Sequence, residues 1–163
     1  MSTNSRPARA LLPWAGVSAL VFIIDFATKW YFESHFYLGE SRAVTSFFNL
    51  VLAHNTGAAF SFLAGHDGWQ IYLFAAIALV AVFVCAKLII KHSQEGLFCL
   101  ALSLIIGGAL GNLFDRIIYG YVIDFLDFYY GYWHWPAFNV ADMAIVGGAG
   151  LLIIDSLTHH SSD

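Results

Sequence analysis

Charge is scarce in this chain. Seven Lys and Arg and eleven Asp and Glu make up 11% of its 163 residues, against about a quarter in a soluble domain. That scarcity excludes an ordinary water-facing surface, and there is no basic patch to meet nucleic acid. Cysteine is nearly absent as well. Cys85 and Cys99 sit inside apolar runs without metal or redox spacing, so they read as small buried hydrophobes. The seven histidines form no HExxH or similar ligand set, and no metal site is expected from them. Internal repeats, low-complexity tracts and linkers are missing too, and the length suits one domain. What remains is apolar: 60% of residues are hydrophobic and the mean hydropathy is +0.71. The composition is that of an integral membrane protein.

A helix that crosses the hydrocarbon core needs about 20 mostly apolar residues. Runs at about 68–88 and 96–114 meet that requirement with almost no charge. Two more qualify once ionisable residues are admitted: 11–31, holding Asp25 and Lys29, and 136–157, holding Asp142 and Asp155. The first could be a secretory signal peptide, because Arg6 and Arg9 precede it. Asp25, Phe26 and Lys29 stand where a small-residue cleavage site belongs, so it reads as an uncleaved first helix. The expected fold is mainly α, a polytopic single membrane domain over 1–163 with four transmembrane helices.

Basic residues orient the spans. Arg6 and Arg9 in the N-terminal tail, and Lys87 and Lys91 between spans two and three, put both segments in the cytoplasm. Four spans then return the C-terminus there, and the other two connections lie outside. Within the first of these, 44–53 is rich in Phe, Val and Leu, which favours strand, and Asn55-Thr56-Gly57 is a turn signal. A small β element over about 42–65 is expected at the outer membrane surface. The second outer connection, about 119–135, reads as a loop dense in aromatics, among them Phe128, Tyr129, Tyr130, Tyr132, Trp133 and Trp135. Such residues favour the headgroup interface; a lid over a lipid-borne substrate is the alternative. Asp127 reads as a solvated loop residue. Gly107-Gly108 with Gly111, and Gly147-Gly148 with Gly150, read as close helix-packing faces.

Ionisable residues inside a span are costly and usually face a functional cavity. Here they gather at one depth. Asp25 and Lys29 lie near the outer end of span one, and Asn112, Asp115 and Arg116 at that of span three. Asn139 and Asp142 lie at the outer start of span four, Asp142 six residues past Pro136 and so about 9 Å along the helix. Asp124 lies just before. Asp155, at the opposite end, is explained by a solvated helix terminus. Asp25 with Lys29 is an i, i+4 pair, Asn112 shares a face with Asp115 and Arg116, and Asn139 with Asp142.

Asp124 and Asp142 differ from the others in having no basic partner within one helical turn. Carboxyls near lipid tend to keep their protons, and two that face each other would share one. One could then act as a base on water while the other hydrogen-bonds a scissile carbonyl. The residues alone leave three readings open: such an aspartyl dyad, a proton or ion pathway, and polar helix packing. A pathway would want polar groups through the full bilayer depth, and spans two and three carry no charge through their middle.

Five ordered fragments resemble the lipoprotein signal peptidase (signal peptidase II) family. They are Asp25-Phe-Ala-Thr-Lys29, Asn55-Thr-Gly57-Ala-Ala-Phe-Ser61, Gly107-Gly-Ala-Leu-Gly-Asn112-Leu-Phe-Asp115-Arg116, Gly120-Tyr-Val-Ile-Asp124-Phe125 and Phe138-Asn139-Val-Ala-Asp142. The resemblance implies an intramembrane aspartic endopeptidase of the bacterial inner membrane. It would remove the signal peptide of a diacylglyceryl-modified prolipoprotein just N-terminal to the lipidated cysteine. It implies Asp124 and Asp142 as the catalytic pair. Asn55, Asn112, Arg116 and Asn139 would bind substrate or support the site, and Asp25, Lys29, Gly57 and Asp115 would be architectural. A small extramembrane β-cradle, no cofactor and a lipid-borne prolipoprotein substrate also follow from it, and nothing in the sequence requires more than a monomer. The short His/Ser-rich C-terminal tail departs from the more basic tails of many members.

Overall fold

The structure, a computed structural model, describes residues 6–57 and 69–159, and the side chains of 11–57 and 69–158. The side chains of Arg6, Arg9, His159 and His160 lie outside these. So do residues 58–68, which hold the end of the expected 42–65 element, the Ala58-Ala-Phe-Ser61 fragment and Gly68 of the second span.

Four helices are long and apolar enough to cross a membrane: α1 (Arg6–His35), α2 (Trp69–Lys91), α3 (Gly96–Ile118) and α4 (Val140–His159). With 30 residues, α1 is about 45 Å long and overreaches a hydrocarbon core of about 30 Å. Its last turns therefore project beyond the bundle and meet the sheet. The α3 helix is the central one, with α1, α2 and α4 all packed on it. Its glycines allow this. A Cβ on Gly107 would strike the Ser18 carbonyl and Val21 of α1, and one on Gly108 the Ala141 carbonyl and Ile145 of α4. On α4, Gly148 meets the Ala101 carbonyl and Ile105 in the same way. Gly147 and Gly150 have open space instead, so only one of the three α4 glycines serves packing: at about 100° per residue, its neighbours turn away from α3.

The strands β1 (Ser41–Ala43), β2 (Phe48–Asn55), β3 (Val122–Tyr130) and β4 (Trp133–His134) pair antiparallel in the order β1-β2-β3-β4. The sheet sits at one end of the bundle. Phe32 and Phe36 of α1 pack there with Leu52 of β2 and with Ile123 and Phe125 of β3, and Phe32 stacks on Phe125 at 4.3 Å. Gly120, with φ +78°, lets the chain leave α3 and turn into β3. At the other end, Cys85, Ile89, Cys99, Leu102 and Ile106 form an apolar cluster between α2 and α3. Both cysteines are free and buried.

Several expectations need correction. The aromatic connection 119–135 is not a loop: most of it is β3 and β4. Alternation of Phe125, Asp127 and Tyr129 with their neighbours satisfies the sheet, and aromatic richness hid that pattern. The strand expected over 44–53 is β2, Phe48–Asn55, preceded by the short β1, because 44–47 forms the turn between them. The fourth helix starts at Val140, not Pro136. Phe138 pairs with Leu126 by backbone hydrogen bonds of 2.9 and 3.0 Å, which keeps the chain extended until Asn139 caps the helix. Asp127 is buried rather than solvated: Asn49 Nδ2 donates to it at 2.8 Å and His134 Nδ1 lies 2.9 Å away. Asp155 is buried as well.

Candidate active site

The α1 helix supplies the foundation. Lys29 is 2% exposed, and its ammonium has three donors to place. They reach Asp25 Oδ2 at 2.7 Å, Asp115 Oδ2 at 2.9 Å and Asn112 Oδ1 at 2.9 Å. Asp25 in turn accepts from the Ala141 amide at 2.8 Å. That amide is one of the first-turn donors that a helix cannot satisfy internally. Asp115 accepts from the Ile123 amide at 3.2 Å. One buried cation thus ties α1 to α3, to the start of α4 and to β3.

Asn112 passes this order on. Lys29 occupies its oxygen, so its Nδ2 is turned to Asp142 Oδ1, 2.8 Å away. Asn139 does the same for the other carboxyl. Its Oδ1 caps α4 by accepting the Asp142 amide at 2.9 Å, the usual bond of an N-cap asparagine. Its Nδ2 then donates to Asp124 Oδ1 at 2.7 Å, with longer contacts to the Ile123 carbonyl at 3.2 Å and Asn112 Oδ1 at 3.3 Å. Asn55, the last residue of β2, donates from Nδ2 to Asp124 Oδ2 at 3.0 Å. Both oxygens of Asp124 are therefore held by amides. Asp142 has one so held, and among the described residues no donor reaches its Oδ2. Asp142 stands in the first turn of α4, where the helix N-terminus favours negative charge.

Arg116 completes the wall. Its guanidinium donates to the Gly57 carbonyl at 3.1 Å and the Asn112 carbonyl at 3.3 Å, and lies over the Phe74 ring. Gly57 gives its own amide to Asn55 Oδ1 at 2.9 Å. The turn after β2 is thereby fastened to α3, which fixes the end of Asn55 that holds Asp124.

Burial, and after it the neighbouring charge of Asp142, push the Asp124 carboxyl up to about 7; the Asn55 and Asn139 amides and the Lys29 charge pull the other way. A carboxyl so placed changes protonation near neutral pH, as acid–base catalysis requires.

Asn55, Asn112, Arg116 and Asp142 line a cleft of about 800 Å³, and Asp124 is buried behind it on the Asn55 and Asn139 amides. The floor of the cleft is the Ile105, Ala109, Asn112 and Arg116 face of α3, and its sides are α2 and α4. The cleft is polar where Asn55, Arg116 and Asp142 line it and apolar below. Another groove, about 760 Å³ between α1 and α2, has no ionisable side chain on its walls and so offers no comparable chemistry. Among the described residues no three His, Cys, Asp or Glu side chains converge as a metal site would need.

All ten residues singled out in the sequence fall in this one network. Glu33 and His54 escaped that reading. His54 Nε2 lies 3.0 Å from Glu33 Oε2, directly behind Asn55. Glu33 follows Lys29 by four residues and Asp25 by eight, a helical spacing that was there to be found. His54 carried no such signal, because its partner is 21 residues away.

The chain is similar to several known proteins. The sequence model of "Signal peptidase (SPase) II" matches residues 17–158. The lipoprotein signal peptidase of Janthinobacterium sp. (strain Marseille) is 52% identical over 160 residues, 96% of this chain and 97% of the relative. That of Paraburkholderia phymatum is 51% identical, covering 95% of this chain and 94% of the relative. Among solved structures, a bacterial membrane enzyme determined in meso superposes with a TM-score of 0.82 at 31% identity, over 96% of this chain and 92% of that one.

Proposed function

Since the chain belongs to the signal peptidase II family, and so is a multi-pass bacterial membrane peptidase acting on prolipoproteins, we propose that Asp124 and Asp142 are its catalytic dyad. The observation that carries this reading is the placement of the two carboxyls on the Asn112–Asn139 amide pair, with Asp142 on the polar wall of an otherwise apolar cleft and Asp124 buried beside Asn55 of that wall. The substrate is a prolipoprotein whose cysteine already bears diacylglycerol, and cleavage falls just N-terminal to that cysteine.

The signal segment enters between α2 and α4, and the acyl chains stay in lipid. The scissile peptide comes to rest at the cleft mouth. One carboxylate takes a proton from water while the other, protonated, hydrogen-bonds the peptide carbonyl. As hydroxyl adds, the protonated carboxyl gives its proton to the carbonyl oxygen, which yields a neutral tetrahedral gem-diol. The C–N bond then breaks: a dyad proton passes to the departing amine, one gem-diol hydroxyl returns its proton to the dyad, and the new carboxyl remains on the signal peptide. The dyad ends with the one shared proton it began with. Asn112 and Asn139 hold the carboxyls in place throughout. Arg116, whose charge acts on both aspartates, offsets the negative charge that develops.

The positive-inside pattern of Lys87 and Lys91 supports cytoplasmic termini, with the sheet and the dyad toward the periplasm. Exposed Tyr130, Tyr132 and Trp133 on the β3–β4 hairpin suit the headgroup layer on that side. A monomer is the proposed functional unit, because this chemistry requires no group from a second copy.

The test is cleavage of a lipidated and an unlipidated precursor in detergent by wild type, Asp124→Asn and Asp142→Asn. Wild type should cleave the lipidated form and each variant should be inactive while folded. Turnover by either variant would sink the dyad assignment; equal rates on both precursors would sink the lipid requirement.

A further inference from the structure

Asn55 is the one dyad contact that lies at a strand end. Register between β2 and β3 shifts between Leu50 and Ala53, so the segment that carries Asn55 is joined to β3 by three paired positions only: Ala53 with Asp124, His54 with Ile123 and Asn55 with Val122. Beyond it there is a turn, fastened on one side through Gly57 to Arg116. Strand alternation sends Asn55 toward Asp124 and the preceding His54 to the opposite face. There His54 Nε2 meets Glu33 Oε2 at 3.0 Å, and its ring stacks on Tyr121 at 3.8 Å. The Tyr121 hydroxyl donates to the other Glu33 oxygen at 3.3 Å.

Glu33 sits on the α1 face that already carries Asp25 and Lys29. The stripe Asp25-Lys29-Glu33 thus props the site twice: Lys29 orders Asp142 through Asn112, and Glu33 stands behind Asp124 through β2. We propose that His54 and Glu33 are a positioning pair, which clamps the end of β2 to α1 and so holds Asn55 at hydrogen-bond distance from Asp124. This rests on the dyad reading above. A carboxylate only accepts, so Nε2 is the protonated nitrogen, and the bond survives whether the imidazole is neutral or charged. The other groups around the pair are Tyr121, Tyr119 stacked on Tyr121, and Asp115 behind them. Those that act on Asp124 are Asp142, Lys29, Arg116, Asn55 and Asn139.

The Asn55 bond favours the ionised form of Asp124. Loosening it must therefore move the Asp124 limb of the pH–rate profile upward. In His54→Ala, kcat should fall roughly tenfold with KM little changed, less than the 10²–10³ lost when a donor is removed outright. The limb should rise by roughly half a pH unit. Asn55→Ala should move it the same way, and His54→Ala combined with Asn55→Ala no further than Asn55→Ala alone. His54→Gln, which keeps a donor, should restore most of kcat. Glu33→Ala should reproduce His54→Ala and serves if that variant does not fold, because Glu33 is partly exposed at a helix end. His92→Ala, in the distant α2–α3 turn, should leave the limb in place. A wild-type limb in both His54→Ala and Glu33→Ala, or a lower kcat with no displacement, overturns the pair. If instead Asp124→Asn retains activity, it is the dyad reading that fails.

Discussion

Asn139 holds Asp124 at 2.7 Å with its amide nitrogen while its amide oxygen caps the helix that carries Asp142 at 2.9 Å. One side chain therefore sets the relative position of both proposed catalytic groups. Helix capping and site assembly are coupled here: with its oxygen on the Asp142 amide, the Asn139 nitrogen is turned toward Asp124.

Asn139→Ala should therefore lose both. Loss of the cap costs about 1 kcal/mol, a modest fall in unfolding temperature. Activity should fall far more, by roughly 10²-fold or beyond, as when an oriented donor is removed. Steady-state cleavage beside thermal unfolding in detergent separates the two. Equal proportional losses would argue against the dual role.

Lys29→Met should be chiefly a stability defect. It leaves Asp25 and Asp115, both buried, without their shared cation. Breaking a buried pair by removing one partner typically costs about 3–5 kcal/mol. Unfolding midpoints should drop accordingly, and Asp25→Asn combined with Lys29→Met should recover part of the loss. A midpoint close to wild type would show the charges to be dispensable.

Glycines should separate by what they face. Gly148→Ala would drive a methyl into the Ala101 carbonyl and Ile105, and overpacking of this kind costs about 1–3 kcal/mol. Gly111→Ala would strike the Asp25 carboxylate and disturb the start of α4 as well. Gly150→Ala meets open space and should be neutral or stabilise the helix by up to about 1 kcal/mol. The ranking is read from unfolding midpoints of the three variants.

Stability should depend on the proton of Asp124. Its carboxyl is raised from 3.8 to about 7 in the folded chain, so the folded state binds the proton more tightly than the unfolded one. The contribution is fully present below about pH 4 and is lost as pH rises through 7, amounting to roughly 4 kcal/mol. Unfolding midpoints of wild type should fall across that window relative to Asp124→Asn, which has no such proton. Parallel curves for the two proteins would contradict the assignment.

The packing glycines of α3 and the polar motifs were legible because they depend on local rules, whereas on α4 only Gly148 of the three packs closely. Span count followed from hydropathy, and Asp25-Lys29 and Asn139-Asp142 from helical spacing. Asp127 shows where such rules stop. In sequence it stands in an aromatic, turn-like stretch; in the fold, Asn49 on the neighbouring strand and His134 across the hairpin cover it. Antiparallel pairing brings residues 78 positions apart into contact, and nothing local announces that.

By itself the sequence determined a four-span membrane chain with its polar residues at one end, because transfer into lipid penalises every charge that has no reason to be there. Tertiary structure alone decided how those residues divide the work. Lys29 orients Asn112, Asn139 both caps α4 and holds Asp124, and Glu33 reaches behind β2 to His54. The two amide assignments depend on what already occupies the one oxygen of each side chain, which turns its nitrogen the other way. That is fixed only when side chains from distant parts of the chain come within about 3 Å of one another, the distance that hydrogen bonds require.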